Sequence, residues 1–248
     1  MKLSSDVEVE FKKDTHQYFR GGSEYLSQSS FVKIFEPLFD PKIVHASAKA
    51  AGISSEVMQA QWDKKRDDAG VYGTEIHDVL EKSWYGYKVE DKYELLVDQV
   101  RTLIQPSRQQ IPEKIFYLDR AKLAGTADLP SIRCVQNSAQ VLDIFDYKTN
   151  IAKGVTLYAA KFKDGKWSHY NSRFLGPISH LEYTLFNKYV LQLSLYMYMA
   201  ECNYVVIPGR MGIIHIDPSL EARLIPVPYM KYEIKAMIDY YLQLKSIK

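Results

Sequence analysis

Asp128 closes the run Ala124-Gly-Thr-Ala-Asp128 just before Pro130, and Asp146 closes Val141-Leu-Asp-Ile-Phe-Asp146 ahead of Tyr147 and Lys148. If the two runs are neighbouring strands, both carboxylates emerge at one edge of a sheet. Carboxylates held close together raise each other's proton affinity unless a cation lies between them. Hard oxygen ligands of this kind suit Mg²⁺ or Mn²⁺. Lys148 stands two residues beyond Asp146, so the period of two along a strand puts both on one face. A cation there could orient an attacking water or stabilise a pentacovalent phosphate. Asp143 is three residues before Asp146, falls on the opposite face and is set aside. Strands ending in Asp or Lys are commonplace, because strand ends meet solvent, so Asp-x-Lys alone carries little.

Two helical constellations accompany these acids. In Gly73-Thr-Glu-Ile-His77-Asp-Val-Leu-Glu81, His77 and Glu81 are four apart and share a helix face, with Gly73 one turn before the histidine. Ile76, Val79 and Leu80 mark the buried stripe, and His77 lies at its margin. A histidine there is commonly a core or surface residue, yet neutral imidazole is also a good ligand for Mn²⁺ beside carboxylates. Gln192 and Tyr196 are again four apart, on the apolar stretch Leu191-Gln-Leu-Ser-Leu-Tyr-Met-Tyr198. A buried amide without a partner costs about 1–3 kcal/mol. Gln192 therefore needs hydrogen-bond partners, and the pair could hold a phosphate or a base edge. Tyrosine is also often plain core, in a chain that has 19 of them.

The elements that must position these residues follow from pattern. Val7, Val9 and Phe11 alternate with Glu8 and Glu10, and Gly21-Gly22 precedes Glu24-Tyr-Leu26, which predicts a β-hairpin region over the first 28 residues. Ser29 or Ser30 is expected to cap a short helix running through Phe35 and ended by Pro37. Residues 41–86 read as helical, punctuated at Gly52, Gly70 and Gly73, and another amphipathic helix is expected over Val89–Ile104. Short β-rich runs follow at 114–118, 123–129, 132–135 and 141–147, with Gly125, Pro130 and Asn137-Ser138 as turn residues. They predict a mostly antiparallel sheet. Residues 149–177 read as an inserted hairpin or long loop. A strong helix spans 181–202, strands return at 204–207, 212–216 and 222–227, and a helix closes over 229–244. This is one α/β domain over 1–248. A hairpin and helical layer occupies 1–70, ahead of a core over 71–248.

Composition narrows the functions available. The 248 residues are 46% hydrophobic and 25% charged, enough for a sizeable core. The formal charge is +2, so nucleic-acid contact requires a local patch. Lys161, Lys163, Lys166 and Arg173 are the candidate rim, with a solvated hairpin as the alternative. Cys134 and Cys202 cannot build a four-cysteine zinc or iron–sulfur site. No apolar segment follows Met-Lys-Leu-Ser-Ser-Asp, and no stretch reaches the roughly 18 apolar residues a bilayer requires. The expectation is a soluble, cytoplasmic protein with no membrane partner.

In chain order the chemistry-bearing elements are Gly-Thr-x-x-His, a strand Gly-Thr-Ala-Asp, then Asp-Tyr-Lys-Thr, then helical Gln-x-x-x-Tyr. This succession resembles the PD-(D/E)XK nuclease superfamily, in its RecB-like exonuclease branch, and most nearly the phage and mitochondrial genome maintenance exonuclease type. The motifs run from Gly73 to Tyr196, about half the chain. His16-x-Tyr18, Tyr25-Leu-Ser27, Phe31 and the approach from Trp62 to Thr74 are similar to what such nucleases carry. The resemblance implies a restriction-endonuclease-like core, a central mixed sheet of about four to six strands flanked by helices. It implies His77, Asp128, Asp146 and the Tyr147 carbonyl as ligands of one or two Mg²⁺ or Mn²⁺ ions, and Lys148 as the catalytic lysine. Gln192 and Tyr196 would orient the lysine and the DNA, and Glu113 matches an accessory acid.

The activity it implies is hydrolysis of DNA phosphodiesters, leaving 5′-phosphates, at duplex ends or on single strands. Recombination or replication proteins would be the partners, in a host cytoplasm if the chain is phage-encoded. Two departures stand out. An iron–sulfur cluster is excluded by the cysteine count, and no Gly-x-x-x-x-Gly-Lys-Ser/Thr loop is present for ATP-driven unwinding. A structure-specific endonuclease shares the same residues, and a non-catalytic DNA-binding scaffold shares the same fold.

Overall fold

The computed structural model describes residues 9–104, 109–134, 140–149, 160–163, 166–169 and 172–247. Gly21 and Gly22 take φ of 55° and 75°, the left-handed pair that a two-residue hairpin turn requires. They join β2 (Gln17–Arg20) to β3 (Ser23–Ser27), and β1 (Glu10–Lys12) pairs antiparallel with β2. Val7 lies outside the described residues. Helix α1 (Gln28–Lys33) follows β3 without a loop. Its cap is Ser27, whose hydroxyl accepts the Ser30 N–H, and not Ser29 or Ser30 as the sequence suggested. The last strand residue is the one with the extended backbone a cap needs.

Helix α2 (Lys42–Ala51) ends at Gly52, in the left-handed conformation at φ 68°. Helix α3 (Ser55–Trp84) then runs 30 residues, straight through Gly70 and Gly73. These glycines are not breaks, and the expected boundary at residue 70 falls inside the helix. Each glycine weakens a helix by about 1 kcal/mol, which the burial of Met58, Ile76 and Leu80 offsets. Helix α4 (Asp91–Ile104) completes this layer.

The strands β4 (Gln109–Gln110), β5 (Lys114–Leu118), β6 (Leu123–Ala127), β7 (Leu129–Cys134) and β8 (Gln140–Lys148) come next. A hairpin of β9 (Ala160–Lys163) and β10 (Lys166–His169) lies in the insertion, then α5 (Leu185–Asn203), β11 (Ile207–Ile216), β12 (Ala222–Pro226) and α6 (Lys231–Ser246). Two five-stranded mixed sheets result, in the orders β1-β2-β3-β6-β5 and β12-β11-β8-β7-β4. The parallel pairs are β3 with β6 and β8 with β11, so the N-terminal strands belong to a core sheet.

Two residues expected in turns lie inside strands. Gly125 is in β6, where an added Cβ would stand 2.7 Å from Gln28 Cβ and 2.9 Å from Tyr196 Cε1. Pro130 is in β7, where its carbonyl accepts the Ile111 N–H at 2.8 Å. It faces the segment beside the two-residue edge strand β4, a position where a missing donor is tolerated. The strands expected at 204–207 and 212–216 form one strand that starts only at Ile207, because Tyr204 caps α5. β11 runs from Ile207 to Ile216 with a register shift between Pro208 and Met211.

Alternation along β8 divides the core. Leu142 and Ile144 pack with Leu191, Leu195 and Met199 of α5, while Phe145 and Tyr147 pack with Ile76 and Leu80 of α3 and Leu96 and Val100 of α4. The β8 sheet is thus the middle layer between α5 on one face and α3 with α4 on the other. A fully buried aliphatic side chain contributes about 1.5–3 kcal/mol, and both faces carry several.

Candidate metal centre

Asp128 sits between the end of β6 and the start of β7, where the chain passes from one sheet to the other. Opposite it, Glu113 has a left-handed backbone at φ 53° and donates its N–H to the Asp128 carbonyl at 3.0 Å. The antiparallel pairing of residues 109–118 with 123–132 therefore bends at these two acids. On the other side, Leu129 pairs with Phe145, which carries Asp128 to the level of Asp146. The Tyr147 N–H donates to Asp128 Oδ2 at 2.7 Å.

Helix α3 brings His77 to this corner. Its Nδ1 lies 3.6 Å from Asp128 Oδ2 and its Nε2 3.2 Å from the Tyr147 carbonyl oxygen. Gly73, one turn earlier, lets the helix close on the end of β8, because a Cβ there would stand 3.1 Å from Thr149 Oγ1. The Tyr147 side chain turns away into the α3–α4 core, where its hydroxyl accepts from Trp84 Nε1 at 2.9 Å.

His77, Glu113 and Asp128 each present a ligand atom, all within 4.8 Å of one another. Ligand atoms facing each other across a small divalent cation stand roughly 4–4.6 Å apart, given metal–oxygen distances of about 2.0–2.3 Å. One imidazole and two carboxylates are hard or borderline donors, so the residues present fit Mg²⁺ or Mn²⁺. The electrostatics agree. Burial first, then the neighbouring charges of Asp128, Glu81 and Asp146, pushes the Glu113 carboxyl up to about 8, a strain that a cation would relieve.

Asp146 and Lys148 lie on the α5 face of β8, as alternation predicts, and form an ion pair with each other. Burial raises the Asp146 carboxyl above the ordinary range against the pull of Lys148, and Asp128 adds to the rise. For Lys148 burial opposes the charge, but Asp146 and Asp128 outweigh it and hold the ammonium above its usual value. The lysine is thus a charged donor, with the Tyr189 ring 4.9 Å from its nitrogen. Asp143 is fully buried on the opposite face, where it accepts the Arg210 main-chain N–H at 2.7 Å and its Nε at 3.3 Å. It anchors the irregular turn of β11.

Tyr189, Gln192 and Tyr196 succeed one another at three- and four-residue spacing on α5, so Gln192 lies between the two tyrosines on the site-facing side. Among the described residues its amide makes no hydrogen bond. No hydrogen bond joins Tyr196 to Lys148 among the described residues. The Tyr196 hydroxyl donates to the Thr126 carbonyl at 2.7 Å and toward Gln28 Oε1 at 3.3 Å. Two further residues bear on the site without a motif to announce them: Glu81, which raises the Glu113 carboxyl, and Tyr189, whose ring lies against Lys148. The spacing of Glu81 from His77 was the available signal for the first, and the helical step back from Gln192 for the second.

Arg173 donates to the His180 carbonyl at 2.7 Å. The side chains of Lys161, Lys163 and Lys166, the rest of the expected rim, lie outside the described residues. Cys134 and Cys202 are free thiols. Among the described residues, no helix is long and apolar enough to cross a membrane. Compared with known proteins, the chain matches no family model, and no curated protein is significantly similar to it.

Proposed function

We propose that the chain is a metal-dependent DNA exonuclease with a restriction-endonuclease-like core, of the RecB-like PD-(D/E)XK kind. The observation that carries this reading is the convergence of His77, Glu113 and Asp128 at a sheet corner beside the Asp146–Lys148 pair. Mg²⁺ or Mn²⁺, when bound, would supply Lewis-acid polarisation of the phosphate and lower the pKa of water. His77, Glu113, Asp128 and the Tyr147 carbonyl would hold it, with Asp146 beside them. Lys148, charged beside Asp146, would orient the attacking water and offset the charge that develops on the phosphate oxygens. Gln192, with its amide uncommitted on the same side, would bind the DNA backbone. A formal charge of +2 suits an enzyme that grips a few phosphates at an end or single strand. A cytoplasmic setting and recombination or replication partners accompany this reading.

The test is a time course on end-labelled linear single- and double-stranded DNA beside closed circles, with Mn²⁺, Mg²⁺ or EDTA and with Asp146→Ala alongside. Metal-dependent shortening of linear strands, spared circles and a silent variant are expected. Cut circles would replace the exonuclease reading with an endonuclease. DNA binding without cleavage under either metal would leave a scaffold.

A further inference from the structure

Resting on the nuclease reading, we propose that Tyr18 is a positioning residue of the metal centre, acting with Tyr196 to fix Asp128 through the main chain of Thr126. β3 runs parallel beside β6 only as far as Ser27, opposite Ala124, and then becomes α1. Thr126, two residues further along β6, thereby loses its neighbouring strand on that side, and a buried main-chain group without a partner is costly.

Two phenols replace the missing strand. The Thr126 N–H donates to the Tyr18 hydroxyl at 3.2 Å, and its carbonyl accepts from the Tyr196 hydroxyl at 2.7 Å. Tyr18 also shares a hydrogen bond with Thr126 Oγ1 at 3.0 Å. Gly125, which has no Cβ to hold the helix away, lets Tyr196 come this close.

The two tyrosines come from distant parts of the chain. Tyr18 is only 2% exposed on the N-terminal β2, its ring stacked on Phe11 at 4.7 Å, and Tyr196 is on α5. They close on one residue, and Asp128 follows it by two positions, at the bend between the sheets. Groups that fix a metal ligand in this way commonly change metal affinity or activity by about 10–100-fold when removed.

The experiment uses the full chain as Tyr18→Phe, Tyr196→Phe, the double variant and Asp128→Ala. Mn²⁺ is titrated calorimetrically without DNA, turnover is measured over a range of Mn²⁺, and Tm is recorded. Each phenylalanine variant keeps its ring and is expected to fold. Mn²⁺ binding should weaken by about 10–100-fold, and turnover should recover as Mn²⁺ is raised. The double variant should lose less than the product of the single losses, because both hydroxyls hold one residue. A folded Tyr18→Phe with Mn²⁺ affinity and turnover within about twofold of the parent overturns the inference. If Tyr18→Phe does not fold, Tyr196→Phe decides by the same criterion. Unchanged Mn²⁺ binding in Asp128→Ala would instead overturn the metal reading on which the inference rests.

Discussion

Asp128 accepts the main-chain N–H of Tyr147 at 2.7 Å, so one carboxylate ties the bend between the two sheets to the strand that carries Asp146 and Lys148. The same oxygen lies 3.6 Å from His77 Nδ1. Helix α3, the bend and β8 thus meet at one atom, and the behaviour of the site should follow from its charge.

Divalent metal should stabilise the protein more at alkaline than at acid pH. The Glu113 carboxyl, raised to about 8, is largely protonated at pH 6.5, and a cation must displace that proton. Thermal melts with Mn²⁺ should show a Tm rise at pH 8.5 that exceeds the rise at pH 6.5, with proton release detected by calorimetry in two buffers. Equal shifts at both pH values would refute the coupling.

Without metal, Glu113→Gln should stabilise the protein, and only at higher pH. The folded-state carboxyl titrates near 8 against an ordinary 4.5, so the folded state binds the extra proton between these values. Stability is therefore full below about pH 4.5 and falls as pH rises toward 8. Glutamine removes that loss. After allowance for solvent screening, the variant should gain about 1–3 kcal/mol at pH 9 and nothing at pH 4. Urea melts at the two pH values measure this directly.

The neighbouring acids of β8 should separate by phenotype. Asp143 is fully buried and holds Arg210, so Asp143→Ala should cost about 3–5 kcal/mol and leave turnover per folded molecule near the parent. Asp146→Asn keeps a polar group of the same shape beside Lys148, so it should stay folded at a smaller cost in Tm than Asp143→Ala and lose cleavage. A stable Asp143→Ala without activity would contradict this division.

Lys148→Ala should lower turnover by about 10²–10⁴-fold with Mn²⁺ affinity retained, since its nitrogen pairs with Asp146 and offers no ligand to the cation. Parallel turnover and Mn²⁺ titrations decide, and turnover at the parent's level would remove the lysine from the chemistry.

Gly125→Ala should be unusually harmful for a one-methyl change. The new Cβ would stand 2.7 Å from Gln28 Cβ and 2.9 Å from Tyr196 Cε1, which predicts a loss of about 1–3 kcal/mol together with weaker Mn²⁺ binding. A Tm within a degree of the parent would contradict the close packing of α5 on β6.

What the sequence determined by itself was local and periodic. Alternation along 141–148 placed Asp146 and Lys148 on one face and Asp143 on the other, because successive side chains of any strand point to opposite sides. The four-residue helical step put Glu81 one turn from His77, and Gly21-Gly22 specified the β2–β3 hairpin. Tertiary structure decided what depends on contacts between distant segments. Gly70, Gly73, Gly125 and Pro130 read locally as punctuation. Inside α3, β6 and β7 they are held there by packing that outweighs propensity. Only the bend that sets Glu113 against Asp128, and the end of β3 at Ser27 that hands Thr126 to Tyr18 and Tyr196, turned scattered residues into one site. Neither has a sequence period, because each arises where one element stops and another must supply its missing hydrogen bonds.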